Sequence, residues 1–171
     1  MKTPPNNFDY QWENLGSKNI EYNTSRIDEL LRFTNLEPDF FKNKTVLDAG
    51  CGNGRYTYAL HQLGAIVDSI DLSPNAIKSV KKINPNARVA SILDLSPSYK
   101  YDFVLSWGVL HHTATPFMAF QKLKGQLKTG GLLHIMVYNE KSQLNYIEGR
   151  KIWNTLSDED RLKYCTAKVK Q

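Results

Sequence analysis

The stretch VLDAGCGNGRYT, residues 46–57, constrains the fold of this chain more than any other. An apolar run ends near Asp48, three glycines follow at alternate positions, and a segment with helix-forming residues begins directly after them. A strand that passes into a helix through a glycine-rich turn is typical of α/β proteins, whose ligands lie at the carboxyl ends of parallel strands. The carboxylate of Asp48 argues against a phosphate group at this turn, because like charges repel strongly in a partly dry site.

The rest of the chain repeats this alternation of short apolar runs and amphipathic segments. We predict strands at 44–50, 65–71, 87–94, 101–108 and 132–139. We predict helices at 24–36, 55–64, 73–83 and 116–128, the last of them stopped by Gly130 and Gly131. Strands that alternate with helices through short loops favour right-handed crossovers. The sequence therefore predicts an α/β fold with a doubly wound, mainly parallel sheet of about five strands.

The chain divides into three parts on this interpretation: an aromatic arm, a ligand-binding domain and a helical C-terminal extension, at 1–22, 23–140 and 141–171. The arm carries Phe8, Tyr10 and Trp12, which are too apolar for a purely solvated tail, so they either pack on the domain or close over a ligand. In the extension, Ser157 followed by Asp160 is typical of a helix start.

Composition excludes several classes of protein. Of the 171 residues, 23% are charged and 41% hydrophobic, which is typical of a globular domain. No apolar run has the length that a membrane-spanning helix needs, and the N-terminus has no apolar core of a signal peptide, so we expect a cytoplasmic protein. Two cysteines, Cys51 and Cys165, are too few for a disulfide framework, and their spacing predicts no metal site.

Acidic residues mark the ends of the predicted strands. Asp48, Asp71 and Asp94 end the first three strands, and Ser106 lies at the end of the fourth. Asp71 comes about twenty residues after the first glycine, where an acidic side chain accepts hydrogen bonds from ribose hydroxyls. A crevice with several carboxylates favours a nucleoside that has no phosphate and carries a cationic group. S-adenosylmethionine is such a molecule.

Four motifs carry a resemblance to a known family. In chain order they are VLDAGCGNG, IDLSPNAI, ILDL and YDFVLSWGVLHHTATP. Across residues 24–139 the chain resembles the class I S-adenosylmethionine-dependent methyltransferases, which have a Rossmann-like fold. The loop GVLHHTATP is most similar to the small-molecule branch of that family, the quinone-biosynthesis-like enzymes of methyltransferase types 11 and 12.

The resemblance implies a set of cofactor-binding residues: Asp48, Gly50, Cys51, Gly52, Asn53, Asp71, Leu72, Leu93, Asp94 and Ser106. It implies that Asp71 binds the ribose hydroxyls and that Leu72 packs on one face of the adenine. It also implies that Asp94 accepts from the adenine amino group, that Asp48 lies near the cationic amino group and that the carbonyl of Ser106 faces it.

The acceptor is predicted less directly. His111 and His112 follow the fourth strand, and either could orient an acceptor or remove its proton near neutral pH. Tyr138 is a weaker candidate for the acceptor pocket. The chain lacks the Asn/Asp-Pro-Pro-Tyr/Phe tetrapeptide of many amino-methyltransferases. We therefore expect a small-molecule acceptor and regard nucleic acid as disfavoured.

Other readings stay open. The family's sixth and seventh strands are not recognisable after residue 140, which predicts a fragment, a non-catalytic or partner-dependent cofactor-binding domain, or a homo-oligomer or partner chain that covers the sheet edge. A nicotinamide-dependent oxidoreductase is a remote alternative, because Arg55 stands where its fingerprint G-x-G-x-x-G requires the third glycine.

Overall fold

The computed structural model describes residues 24–138, together with Trp12, Thr155, Ser157 and Asp160. Contacts divide the chain into two compact units, residues 1–137 and 138–171. In the second unit, the hydroxyl of Ser157 accepts from the backbone N of Asp160 at 3.2 Å and donates to its carboxylate at 2.6 Å, as predicted for a helix start. Most of 141–171 lies outside the described residues, so the helical extension and the lack of later strands remain predictions.

The first unit is built on a parallel sheet. Its strands are β1 (Thr45–Ala49), β2 (Ile66–Asp71), β3 (Arg88–Val89), β4 (Tyr101–Trp107) and β5 (Leu127–Met136). They lie in the order β3-β2-β1-β4-β5, and all four strand pairs are parallel. The chain reverses its direction of winding between β1 and β4, which opens a crevice at the carboxyl ends of these two strands. The predicted fold class is confirmed.

Helices cover both faces of the sheet. They are α1 (Ser25–Thr34), α2 (Arg55–Gln62), α3 (Pro74–Val80) and α4 (Pro116–Lys124), with 3-10 helices at Pro38–Phe40, Ile92–Asp94 and Leu110–His112. Leu30 of α1 and Leu60 of α2 are fully buried in one apolar cluster with Val46 and Phe103 of the sheet. Leu123 of α4 is fully buried in a second cluster with other sheet residues. Alternate residues of each central strand therefore enter different cores.

Local signals in the sequence place the ends of two helices correctly. Ser73 caps α3, because its hydroxyl accepts from the backbone N of Ala76 at 3.1 Å, and Pro74 occupies the first helical position. Gly64 follows the end of α2 with φ of +79°, a conformation that glycine adopts without a Cβ penalty.

The third predicted strand, 87–94, is much shorter in the structure. Only Arg88–Val89 pairs with β2. The hydroxyl of Ser91 accepts from the backbone N of Leu93 at 3.1 Å, and this local bond turns the chain into the 3-10 helix Ile92–Asp94. The aspartate at this position therefore ends a helical turn rather than a strand.

The predicted helix at 116–128 is also wrong at its C-terminal end. α4 ends at Lys124, and Gly130 and Gly131 lie within β5 rather than after a helix. A Cβ at Gly131 would lie 3.0 Å from the carbonyl oxygen of Tyr101, so glycine here permits β5 to approach β4 closely. The pairing of the two strands is irregular at the same place.

Candidate functional site

The glycine turn closes on the end of β2. The backbone N–H groups of Gly50 and Cys51 both donate to the carbonyl oxygen of Ile70, at 2.8 and 3.0 Å. Gly50, Gly52 and Gly54 have φ of +81°, +52° and +87°. Side chains rarely adopt these angles, so the turn requires glycine for its path.

Asp71 links this turn to the next helix. One carboxylate oxygen accepts from the backbone N of Gly52 at 2.8 Å, and the other accepts from the backbone N of Ser73 at 2.9 Å. The side chain that the sequence assigns to a ribose also fixes the loop on which that ribose would rest. Beside it, Leu72 is 58% exposed and Val89 is 50% exposed, which leaves an apolar surface next to the carboxylate.

Asp48 lies beneath the turn and is only 3% exposed. Its carboxylate accepts from the hydroxyl of Thr57 at 2.7 Å. Burial and, to a lesser extent, the negative charge of Asp71 raise the pKa of Asp48 to about 6, against the effect of the Thr57 hydrogen bond. A carboxylate in this setting is strongly stabilised by a cation that enters the crevice.

The end of β4 is tied to the end of β1. The buried hydroxyl of Ser106 donates to the carbonyl oxygen of Ala49 at 3.0 Å. After Gly108, which has φ of +74°, the chain forms the 3-10 helix that contains both predicted histidines. The rings of His111 and His112 lie 4.0 Å apart between centroids, and burial lowers the pKa of His111. His111 is therefore neutral at pH 7 and has a ring nitrogen that can accept a proton.

The remaining predicted residues are less closely placed. Asn53 is half-buried in the turn, Leu93 is half-buried and Asp94 is exposed at the end of its 3-10 helix. Cys51 is buried, and burial raises the pKa of its thiol, so the side chain is neutral and packs with Ile77. Roles for these residues and for the rest of the predicted site remain predictions.

Two absences concern only the described part of the chain. No helix within it is long and apolar enough to span a membrane. No group of three or more histidine, cysteine, aspartate or glutamate side chains within it could hold a metal ion.

Trp12 of the N-terminal arm lies against the glycine turn. A Cβ built on Gly52 would lie 2.8 Å from Cζ2 of the Trp12 indole. The sequence indicated that this residue packs on the domain or closes over a ligand, but its partner could not be read from the sequence. Phe8 and Tyr10 of the arm lie outside the described residues.

Sequence reasoning missed an aromatic group at the ends of β4 and β5. Trp107 stacks on Phe33 of α1 with centroids 3.8 Å apart, and it lies parallel to His134 of β5 at 5.9 Å. Tyr56 of α2 approaches the same indole edge-on at 5.9 Å. The position of Trp107 directly after Ser106, at a strand end, was the available signal.

Comparison with known proteins gives consistent matches. A family model described as a methyltransferase domain matches residues 20–168. The tRNA U34 carboxymethyltransferase of Pseudoalteromonas translucida is 35% identical over 106 residues, covering 57% of this chain and 32% of that protein. The protein of the same name from Shewanella loihica is 38% identical over 101 residues, covering 54% and 31%. The chain thus spans about a third of the length of the curated relatives it matches.

Solved structures agree. A TehB-like SAM-dependent methyltransferase from Corynebacterium glutamicum is similar with a TM-score of 0.55 and 25% identity, covering 83% of this chain and 79% of that one.

These relatives overturn one expectation. We predicted a small-molecule acceptor and regarded nucleic acid as disfavoured, and this is wrong because the curated relatives are named for an enzyme that acts on a tRNA. The prediction relied on the missing tetrapeptide. That tetrapeptide serves acceptors with an amino group, so its absence does not bear on transfer to another atom of an RNA base.

Proposed function

The chain belongs to the methyltransferase-domain family, and we propose that it binds S-adenosylmethionine, or a carboxylated form of it, and directs group transfer to a base of tRNA. One observation supports the proposal most directly. At the junction of β1 and β2, the Asp71 carboxylate accepts a hydrogen bond from the backbone N of Gly52 at 2.8 Å. A carboxylate offers about four lone-pair positions. Asp71 can therefore hold the turn and accept from ribose hydroxyls together.

The residues at the strand ends suit a cationic nucleoside. Leu72 offers an exposed apolar side chain for one face of the adenine. Asp94, at the exposed end of its 3-10 helix, would accept from the adenine amino group beside the backbone of Leu93. Asp48 and the carbonyl of Ser106 would stabilise the ammonium at the other end of the ligand. The Gly50 and Gly52 positions supply the close backbone approach, with Cys51 and Asn53 completing the turn.

The chemistry asks little of the protein beyond positioning. When bound, the sulfonium supplies an activated carbon that a nucleophile attacks in line with the carbon–sulfur bond. The protein's residues hold the acceptor close and exclude water, which accounts for much of such a rate enhancement. His111 or His112 would orient the acceptor or take its proton, and the neutral state of His111 permits this at pH 7.

An RNA acceptor has support on the molecule's surface as well as from its relatives. Phe117 is 71% exposed in the first turn of α4, directly after the loop that carries the two histidines. Its ring stacks on that of Phe120, with centroids 6.3 Å apart. Exposed aromatic rings bind unstacked RNA bases, at roughly 1–3 kcal/mol per base. The formal net charge of +5 favours a polyanionic partner.

The test has two steps. Calorimetry with S-adenosylhomocysteine measures cofactor binding by itself. Incubation with an unmodified tRNA transcript and either sulfonium donor, followed by nucleoside mass spectrometry, then identifies the product and the group transferred. We expect product at a uridine in the anticodon loop and none when that uridine is replaced by cytidine.

Phe117→Ala should lower transfer by roughly tenfold, which is the loss of one stacked base. Tyr99→Ala is the matched control, since Tyr99 is 68% exposed but precedes β4 at the opposite end of the sheet. If the protein binds S-adenosylhomocysteine but neither donor modifies the tRNA, the RNA acceptor is wrong and the cofactor assignment stands.

A further inference from the structure

A chain of four polar side chains runs through the core beneath the glycine turn. The Thr57 hydroxyl lies 2.7 Å from the Asp48 carboxylate, and the Ser69 hydroxyl lies 2.9 Å from that of Thr57. The side-chain amide of Asn84 reaches Ser69 at 3.0 Å. None of these four residues is more than 3% exposed. These hydrogen bonds connect the loop after α3, through β2 and α2, to the carboxylate on β1.

The hydrogen bonds fix which group donates at each step. The amide nitrogen of Asn84 donates to the carbonyl oxygen of Val67 at 2.9 Å, and its amide oxygen accepts from the backbone N of Asn86 at 3.2 Å. The carbonyl oxygen of Val67 can only accept and the backbone N–H of Asn86 can only donate, so the orientation of the Asn84 amide is determined. The amide nitrogen must therefore donate to Ser69.

The direction of the remaining bonds follows. Ser69 accepts from Asn84 and uses its own proton to donate to Thr57. Thr57 in turn donates to Asp48. The three hydrogen bonds between these four side chains all point toward the carboxylate, and aligned hydrogen bonds of this kind polarise one another in a low-dielectric interior.

We propose that Thr57, Ser69 and Asn84 are positioning residues that hold Asp48 as an oriented carboxylate for the cationic end of the bound nucleoside. The inference rests on the proposed function, since it takes that nucleoside as the ligand. Four buried polar side chains cost desolvation energy that apolar residues of similar size would avoid. In return, the hydrogen bonds between these side chains orient the carboxylate of Asp48.

Among the described residues, two charged side chains act on the pKa of Asp48. Asp71 at the end of β2 opposes its ionisation, and Arg55 at the start of α2 favours it. The thiol of Cys51 in the turn is neutral, because burial raises its pKa. Burial raises the pKa of Asp48 and the Thr57 hydrogen bond opposes this effect, and the resulting pKa is about 6.

The experiment is calorimetry with S-adenosylhomocysteine between pH 5 and pH 8. In the unaltered protein, affinity should rise with pH through about 6 and then level off, because the ammonium group of the ligand prefers the ionised carboxylate. Thr57→Val removes the donor but keeps the shape, so the midpoint should move to higher pH. Affinity at pH 7 should fall roughly tenfold, as expected for a hydrogen bond to a charged group.

Three further variants separate positioning from packing. Thr57→Ser keeps the hydroxyl and should retain the original midpoint, whereas Ser69→Ala should shift it in the same direction as Thr57→Val by a smaller amount. Thr45→Val is the matched control, because Thr45 donates to Asp102 at 2.8 Å from the other end of β1. It should leave both affinity and midpoint unchanged.

The outcomes distinguish this inference from the proposed function. No binding of S-adenosylhomocysteine by the unaltered protein at any pH would refute the proposed function. Normal binding with the same midpoint in Thr57→Val would overturn this inference alone. If Thr57→Val does not fold, Ser69→Ala provides the test instead, and an unshifted midpoint in Ser69→Ala would overturn the inference.

Discussion

Replacing Asp48 by Asn is expected to make the protein more stable at neutral pH while weakening its binding of a cationic nucleoside. The side chain is 3% exposed, and burial raises its pKa from 3.8 to about 6. A shift of about two pKa units corresponds to roughly 3 kcal/mol of folding free energy. Asn removes the buried charge, and its amide oxygen still accepts from Thr57. The pKa of about 6 already includes the effect of the Thr57 hydrogen bond, so no separate loss for that bond is subtracted. The expected gain is therefore about 3 kcal/mol.

The stability that Asp48→Asn gains over the unaltered protein should increase with pH. Because the folded state holds the Asp48 proton more tightly than the unfolded state, ionisation destabilises the fold progressively as the pH rises from 3.8 through about 6. The Asn variant lacks this titration. Its advantage should therefore be near zero around pH 4 and complete above pH 7, where about 3 kcal/mol corresponds to a rise of roughly 6–12 °C in Tm.

Urea denaturation at pH 4, 5.5 and 7.5 measures the difference directly. Asp102→Asn is the matched control. Burial also acts to raise the pKa of Asp102, but hydrogen bonds from Thr45 and Lys128 outweigh it and hold the pKa at about 2, so this variant should lose stability at neutral pH. The quantity compared is the difference in free energy of unfolding between Asp48→Asn and the unaltered protein. If this difference is the same at pH 7.5 as at pH 4, the electrostatic argument is refuted.

Two further substitutions test the turn. Gly52→Ala should destabilise the fold by more than 1 kcal/mol and change the Trp12 fluorescence, because the new Cβ would lie 2.8 Å from the indole. Gly130→Ala is its control in a melting experiment, since it has φ of +78° with no atom within 4 Å of the new Cβ; equal losses in both variants would exclude the Trp12 contact. Asp71→Asn weakens the bonds from Gly52 and Ser73 and should raise the Kd for S-adenosylhomocysteine at least tenfold in calorimetry. A change of less than twofold would contradict its role.

The fold was predictable because its main signals are local in the sequence. Apolar runs, the glycine turn and the Ser73–Pro74 start of α3 each depend on a few neighbouring residues. The resemblance to class I methyltransferases is confirmed by the family match over residues 20–168. The errors arose where a local signal has two meanings. Gly131 could end a helix or permit close strand approach, and only the position of Tyr101 decides between them.

The site was predictable in part for the same reason. Asp48 and Asp71 stand beside strand ends that the pattern already marks. No sequence pattern indicated the roles of Thr57, Ser69 and Asn84, because their hydrogen bonds join residues 9 to 15 positions apart on different elements. The acceptor class was missed for a different reason, since its prediction relied on the absence of one tetrapeptide, which serves only acceptors with an amino group.

Two aspartates at opposite ends of the central strands show how the site differs from the rest of the fold. Asp102 accepts from Lys128 at 3.0 Å, and its pKa is held at about 2. Asp48 has its pKa raised to about 6, and no described ion pair joins it to a lysine or arginine. The first arrangement stabilises the folded protein and the second does not. A buried carboxylate that accepts from the end of a line of hydrogen-bond donors, yet has no ion-pair partner among the described residues, is expected where a ligand brings the positive charge.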